Sequence, residues 1–317
     1  MQTEAVTTMR IPTGTQKNLR MFVMLLAFFL GGCIAANAQR EDDLNVYMMQ
    51  ATIKLQGSNS FGTGFILVRP LKNQPGPSGR IRGKAVLITA GHVLEEMQGD
   101  QITVILRSRH PESPDTWLRR PYILPIRRNG QRLWTRHPDA DVAVMYVGFD
   151  VPLFDKVPTV DLLATDEMLR SYEIAPGVEL RCLGYPLGAE STAAGFPILR
   201  TGNIASYPLL PTATTKTFLM DFRVFKGNSG GPVYFSQPQL RSSLRLGGRA
   251  QFIMGLLSQE TLLNVQVQEP YESSLKQLQL FIGVVIHASI LRQAIEILPP
   301  PESPESTAMA VKMSPAP

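Results

Sequence analysis

Residues 225–233 read Phe-Lys-Gly-Asn-Ser-Gly-Gly-Pro-Val, and this stretch decides how the rest of the chain is interpreted. A serine flanked by glycines suits a tight turn that presents the hydroxyl, because glycine adopts backbone conformations closed to other residues and lets another chain approach closely. A serine hydroxyl is a useful nucleophile only when an imidazole accepts its proton and N–H donors hold the oxyanion that forms. The stretch therefore directs attention to histidines and carboxylates elsewhere in the sequence.

Two upstream stretches supply those partners. Residues 89–93 read Thr-Ala-Gly-His-Val and contain His92, and residues 141–144 read Asp-Val-Ala-Val and begin with Asp141. With Ser229 they give a base, an orienting carboxylate and a nucleophile in the chain order His, Asp, Ser, and this order separates one group of hydrolases from others.

A second aspartate, Asp139, is the alternative for the orienting acid. It is two residues from Asp141, so on a strand both side chains would point the same way. Asp141 is favoured because the apolar run begins directly after it.

The glycine-flanked serine also fits the nucleophile elbow of α/β-hydrolases, in which an acid and then a histidine follow the serine. After Ser229 the sequence contains a single histidine, His287, and no aspartate occurs beyond Asp221. Glutamates do follow, but no alternating strand–helix pattern surrounds them. We therefore exclude that fold.

On these motifs the chain resembles the chymotrypsin-fold (trypsin-like) serine proteases, and more narrowly the bacterial HtrA/Deg-like branch. Residues 61–67 are similar to the strand that precedes the histidine motif in that branch. Residues 184–188 and 200–204 are similar to the loop and strand that open its second barrel. The resemblance covers residues 45–298.

The resemblance implies a role for each motif residue. His92 would be the general base, Asp141 the acid that orients it, and Ser229 the nucleophile, while the amides of Gly227 and Ser229 would form the oxyanion hole. Asn228 stands where the digestive and clotting enzymes carry an aspartate that pairs with a newly cut N-terminus. Since asparagine has no charge to form that pair, we expect no activation by N-terminal cleavage.

A specificity pocket is implied as well, around Arg223, Val224, Phe225 and residues 255–258, which include Leu257. If the Arg223 side chain points into the pocket, it would favour an acidic residue before the cut bond. If it points out, Val224 and Phe225 leave a small apolar pocket. The second arrangement is favoured because burying an unpaired arginine is costly.

Short apolar runs separated by turn signals recur in two groups of about six. They predict an all-β fold of two packed six-stranded antiparallel β-barrels with a C-terminal α-helix, the active site lying between the barrels. The predicted organisation is a signal peptide over 1–38, an N-terminal barrel over 45–160, a C-terminal barrel plus terminal helix over 161–298, and a disordered Pro-rich tail over 299–317. We expect no PDZ domain, although HtrA proteins typically carry one after the protease.

The first 38 residues have the pattern of an export signal. Basic residues precede ten apolar residues at 21–30, and Ala-Asn-Ala at 36–38 fits a signal-peptidase site. Residues 30–33, Leu-Gly-Gly-Cys, resemble a bacterial lipobox, in which Cys33 would carry a lipid anchor. A retained anchor is the third alternative, although the apolar stretch is short for a membrane span. Both the cleaved and the lipidated form predict an exported bacterial protein, periplasmic or envelope-associated.

Cysteine and arginine content limits the disulfides, ligands and partners that we expect for this chain. The only other cysteine, Cys182, lies in an apolar strand pattern and is predicted to be a buried free thiol without an intrachain disulfide. Residues 107–136 hold eight arginines, which we interpret as solvent-facing because no nucleic-acid motif accompanies them. We expect no nucleic-acid partner, no metal and no organic cofactor, and the sequence does not determine the oligomeric state.

These patterns predict an exported serine endopeptidase that hydrolyses peptide bonds of protein or peptide substrates through an acyl-enzyme. The alternative is a non-catalytic binding or chaperone-like module on the same fold. An intact triad argues against that alternative, since a pure binder has no use for three aligned groups.

Overall fold

The computed structural model describes residues 43–75, 81–148, 158–237, 250–269, 272–303, 305 and 310–316. The predicted signal peptide, the lipobox and Cys33 lie outside these residues. The described chain is mostly β-strand, which confirms the predicted all-β fold class.

The first sheet contains the histidine and aspartate motifs. Its six main strands pair antiparallel in the order β9-β3-β2-β1-β4-β5. They are β1 Thr52–Gln56, β2 Phe61–Pro75, β3 Ile81–Thr89, β4 Gln101–His110, β5 Ser113–Pro125 and β9 Ala143–Gly148. Runs such as 85–88 and 143–147 are rich in β-branched and large apolar residues, which fit a pleated buried surface. Their side chains form the core of this sheet.

Shorter elements surround the first sheet. Strands β6 and β7 form a two-stranded hairpin, and β8 pairs with β9. The elements are helix α1 Leu44–Ala51, helix α2 Gly91–Glu96, β6 Arg127–Arg128, β7 Gln131–Arg132, β8 Thr135–Arg136 and helix α3 Asp166–Ser171, with 3₁₀ turns at Val160–Leu162 and Pro186–Gly188. Helix α3 begins after Thr165, whose hydroxyl accepts a hydrogen bond from the Met168 amide and so satisfies one free donor of the first turn.

The second sheet closes into a six-stranded barrel in the order β10-β11-β12-β15-β14-β13. Its strands are β10 Glu179–Gly184, β11 Ile198–Ile204, β12 Thr217–Asp221, β13 Pro232–Gln237, β14 Ala250–Glu269 and β15 Glu272–His287. The serine motif lies in the loop between β12 and β13. Cys182 on β10 is free and buried, as predicted, and burial raises the pKa of its thiol to about 12.

The predicted C-terminal helix is confirmed as α4, Ala288–Ile297. Its buried face consists of Ala288, Ile290, Leu291, Ala294 and Ile295, which recur at helical spacing. Arg69 on β2 donates hydrogen bonds to the carbonyl oxygens of Ile295, Leu298 and Pro299 and so satisfies acceptors that the helix end leaves free.

The prediction of a disordered tail over 299–317 is wrong for residues 310–316. Strand β16, Val311–Lys312, pairs parallel with β9, and strand β17, Ser314–Pro315, pairs antiparallel with β5. Met313 between them is fully buried. The tail therefore pairs with both outermost main strands of the first sheet. Burial of the methionine and the backbone hydrogen bonds offset the conformational entropy that ordering this Pro-rich segment costs.

Within the described residues, no helix is both long and apolar enough to cross a membrane.

Candidate active site

His92 follows strand β3 directly and lies in the first turn of α2. Its Nδ1 is 2.6 Å from Oδ2 of Asp141, and its backbone nitrogen donates to Oδ1 of the same carboxylate at 2.8 Å. With Asp141 ionised, the first of these bonds requires the proton on Nδ1. The neutral ring then presents Nε2 as an acceptor, which is the arrangement that a general base needs.

The hydrogen bond between His92 and Asp141 shifts the pKa of both side chains toward their charged forms. Burial by itself would raise the pKa of Asp141, but the hydrogen bonds from His92 and Ser258 outweigh it and lower the pKa to about 2. The hydrogen bond to Asp141 raises the pKa of His92, against the opposing effect of burial. The carboxylate is therefore charged at neutral pH and stabilises an imidazolium when one forms.

Two further residues contact Asp141: Ser258, which the sequence placed only in the pocket segment 255–258, and Arg136, which the sequence did not single out. Ser258, buried on β14, donates its hydroxyl to Oδ2 at 2.7 Å. Arg136, on β8, places Nη2 3.7 Å from Oδ1 and pairs through Nη1 with Glu95 on α2 at 2.6 Å. A serine in an apolar strand was the available signal for the first, and no local pattern distinguishes Arg136 from the other arginines of its segment.

The loop that carries Ser229 is anchored to the first sheet by Thr63 on β2. The Thr63 hydroxyl donates to the carbonyl oxygen of Gly227 at 2.6 Å, and its amide donates to the carbonyl oxygen of Ser229 at 3.0 Å. Gly230 has a φ of +88°, and a Cβ there would lie 1.9 Å from the Thr63 carbonyl oxygen. The glycine after the serine is therefore required both by its backbone conformation and by this close approach.

Three of the five backbone amides from Gly227 to Gly231 donate hydrogen bonds within the described chain. The amides of Asn228 and Gly231 donate to Phe225 and Asn228 carbonyl oxygens, each at 3.0 Å, and Gly230 donates to Leu257 at 2.7 Å. The amides of Gly227 and Ser229 donate to no acceptor in the described chain. These are the two N–H groups that the sequence predicts as the oxyanion hole.

The structure brings two of the three predicted catalytic side chains into contact and places the third on a neighbouring loop. Ser229 is half-buried, and its hydroxyl makes no hydrogen bond to any part of the described chain, His92 included. The two segments are nevertheless linked. Gly230 bonds Leu257, whose neighbour Ser258 bonds Asp141, and the Thr63 carbonyl oxygen accepts a hydrogen bond from Thr89, three residues before His92.

Two other titratable residues weighed from the sequence lie differently. Asp139 is 69% exposed and sits 3.9 Å from the Lys216 ammonium, with no contact to His92. His287 is buried, its ring 4.8 Å from that of Phe218, and burial lowers its pKa to about 4. Neither residue therefore replaces Asp141 or His92.

A cavity of about 660 Å³ opens beside His92 and Asp141. Its other walls combine charged, polar and apolar side chains, namely Glu96, Arg136, Asp139, Ala140, Lys216, Thr217, Ser258, Gln259, Val284 and Ile286.

The predicted pocket residues separate into two groups. Val224 and Leu257 are buried together against Gly283, where a Cβ would lie 3.1 Å from Val224 Cγ2 and 2.8 Å from Leu257 Cδ1. The Arg223 side chain is exposed, and its guanidinium stacks 5.1 Å from the centre of the half-buried Phe225 ring. Arg223 thus points outward, away from the buried pair.

Asn228, next to the serine, is 2% exposed, and its side-chain nitrogen has no hydrogen-bond partner within the described residues. Its amide carries no charge that could hold an N-terminus.

Comparison with known proteins gives a structural likeness alone. No known family and no curated protein matches the sequence. Two crystal structures of Rv3671c from Mycobacterium tuberculosis H37Rv, a protease in its inactive form, are similar at 16% sequence identity over 79% of this chain. A serine-to-alanine mutant has a TM-score of 0.39 with 87% of its chain covered, and the second structure has a TM-score of 0.37 with 89% covered.

Proposed function

We propose that this chain is a serine endopeptidase of the chymotrypsin-like type, with Ser229, His92 and Asp141 as its triad. The observation that carries the proposal is the His92–Asp141 pair. Both carboxylate oxygens bond to the same histidine, Ser258 fixes the carboxylate further, and Nε2 is left as an acceptor. A glycine-flanked serine with two free backbone donors lies on the adjoining loop.

The reaction follows from these groups. Ser229 Oγ forms a bond to the carbonyl carbon of the substrate while His92 Nε2 takes the hydroxyl proton, and the amides of Gly227 and Ser229 bind the resulting oxyanion. Breaking the C–N bond releases the amine, which receives the proton from His92. Water then attacks the acyl-enzyme in the same manner, so that the acid is released and Ser229 regains its proton.

Attack requires Ser229 Oγ within hydrogen-bond reach of Nε2. Hydrogen bonds between catalytic groups are often long before substrate binds and shorten in the complex. We therefore assign the closing of this contact to the substrate-bound enzyme, with Thr63 and Leu257 holding the rest of the loop.

We further propose that the protein acts outside the cytoplasm, as a bacterial periplasmic or envelope-associated enzyme of the HtrA/Deg-like branch. The support for export is the basic and apolar pattern of the first 38 residues and the motif around Cys33. The support for the branch is the similarity at residues 61–67, 184–188 and 200–204. Mass analysis of the mature N-terminus tests this. A start at Gln39, a lipidated Cys33 or a retained segment would each identify one processing route, and cytoplasmic full-length protein would contradict export.

Ser229→Ala tests the catalytic proposal. We expect it to abolish cleavage of unfolded casein and labelling by a fluorophosphonate, since loss of a triad serine costs on the order of 10⁶-fold in rate. Ser171→Ala, an exposed serine at the end of α3, is the matched control and should change neither. Casein cleavage that survives in Ser229→Ala would overturn the assignment.

The Ser229 hydroxyl makes no hydrogen bond in the described chain, and this favours a second candidate function, a non-catalytic peptide-binding module on the same fold. Such a module would bind unfolded casein without cleaving it, and its folded form would not react with a fluorophosphonate. Labelling of the unsubstituted protein therefore separates the two functions.

A further inference from the structure

A group of two arginines and three phenylalanines lies at the base of the serine loop. We call it the arginine–phenylalanine cluster, and it consists of Arg200, Phe222, Arg223, Phe225 and Phe281. The Arg200 guanidinium is 4.5 Å from the Phe222 ring centre and 5.4 Å from that of Phe225. The Arg223 guanidinium is 5.1 Å from Phe225 and 4.6 Å from Phe281. The Phe225 ring is thus shared by both cations.

Neither cation of the cluster is neutralised. In the described chain, no carboxylate forms an ion pair with Arg200 or Arg223. Arg200 donates one hydrogen bond through Nη1 to the carbonyl oxygen of Arg223, and the Arg223 guanidinium donates none. Two guanidiniums that approach one ring repel each other, and a bound anion would relieve that repulsion.

Within the described residues, most N–H donors of the two guanidiniums have no hydrogen-bond partner, although both groups lie close to the rings. A guanidinium that stacks on an aromatic ring uses its face, while its N–H donors lie in the plane and match the two oxygens of a carboxylate. The rings also hold the long side chains in place, which lowers the entropy cost of binding. Arg223 therefore offers its full set of donors, and Arg200 offers those that its bond to the Arg223 carbonyl oxygen does not use.

The cluster is adjacent to the serine. The carbonyl oxygen of Phe225 accepts the hydrogen bond of the Asn228 amide, so one tight turn joins the shared ring to Ser229. Val224, between the two cluster residues of the loop, is buried against Leu257 and Gly283. A carboxylate bound to the cluster would therefore lie beside the loop that performs the attack.

We propose that Arg200 and Arg223 form a subsite that binds a side-chain carboxylate of the substrate and so selects peptides with Glu or Asp near the bond to be cut. The inference rests on the proposed function in one respect, namely that the bound peptide is a substrate. The binding chemistry itself does not depend on catalysis, and it can be measured in a protein that lacks the nucleophile.

The test compares two peptides that differ only in charge. Both carry the same amidated sequence and a fluorophore, one with Glu and one with Gln at each candidate position. We expect the full-length Ser229→Ala protein to bind the Glu peptide at least about tenfold more tightly at low salt, because hydrogen bonds to charged groups are among the stronger ones. Adding Arg200→Gln or Arg223→Gln should remove about tenfold of that preference.

Arg128→Gln is the matched control, since Arg128 is exposed on β6 and its side chain makes no hydrogen bond or ion pair in the described chain. It should leave the Glu preference intact, and Arg223→Glu should turn it into a preference for a Lys peptide. Equal binding of Glu and Gln peptides, or a preference that persists in both Gln variants, would overturn the subsite. Cleavage of casein without any preference for acidic residues would also overturn the subsite, but it would leave the endopeptidase proposal standing. If the Glu peptide is preferred in binding but the unsubstituted protein is not labelled by a fluorophosphonate, the subsite would stand and the endopeptidase proposal would fail.

Discussion

The amide nitrogen of Thr63 lies 3.0 Å from the carbonyl oxygen of Ser229, so a strand of the first sheet positions the serine loop of the second barrel. The hydroxyl of the same threonine holds the carbonyl oxygen of Gly227 at 2.6 Å. Thr63 thus fixes two carbonyl oxygens of this loop, whose Gly227 and Ser229 amides donate to no acceptor in the described chain. Thr63 is thus a positioning residue for the proposed oxyanion hole.

Thr63→Val tests this role. The variant keeps the shape of the side chain but removes the donor to Gly227 and the acceptor that the Tyr185 amide uses at 3.2 Å. We expect kcat/KM to fall about 10–100-fold, less than the roughly 10²–10³-fold that complete loss of an oxyanion donor costs. Thr63→Ser, which restores the hydroxyl, should recover most of the activity. A valine variant with unchanged kcat/KM would show that the loop holds its shape without this bond.

The pH dependence of activity should reflect His92. Its pKa is raised, chiefly by the hydrogen bond to Asp141, and the base works only when neutral, so kcat/KM should rise with pH and reach half its maximum above about 6.5. Asp141→Asn should lower that midpoint and reduce kcat on the order of 10⁴-fold, since the amide no longer favours the required tautomer. The pH–rate profile and NMR titration of the His92 ring measure both effects.

Arg136 should modulate the same titration. It faces Asp141 from β8, and its positive charge lowers the pKa of His92, whereas Glu96 on α2 raises it. Arg136→Gln is therefore expected to move the acid limb of the kcat/KM profile to higher pH.

Arg132→Gln is the control for that shift, because Arg132 pairs with Glu95 at 3.1 Å as Arg136 does but has no ion pair with Asp141 in the described chain. The charges of Asp139 and Lys216 also face the cavity and stay unchanged in both variants. Equal profiles for the two variants would show that Arg136 acts only through Glu95.

Met313 should contribute to the stability of the first sheet. It is fully buried between the two strands of the tail that pair with β9 and β5. Met313→Ala should lower the free energy of unfolding by about 2–5 kcal/mol, the range for truncating a buried large side chain. Urea denaturation measures this, with the exposed Ser314→Ala as control. Equal midpoints for the two variants would mean that the sheet does not depend on the tail.

Local sequence was sufficient for the fold class and for naming candidate catalytic residues. Short apolar runs separated by turn signals predicted the strands, a C-terminal helix was predicted, and glycines around Ser229 indicated a turn. Each of these signals is short, and each arises from the backbone preferences and burial of neighbouring residues. Composition misled at 310–316, where tertiary burial of one methionine overrides the disorder that proline predicts.

The tertiary structure alone decided which residues support the site. Ser258 reaches Asp141 across 117 positions, and Thr63 reaches Gly227 across 164. A serine or a threonine in an apolar strand carries no local sign of such a role, which arises only where the two sheets meet. Arg200 and Arg223 are likewise brought together only by the tertiary structure. They are 23 residues apart in the sequence, yet both contact the Phe225 ring.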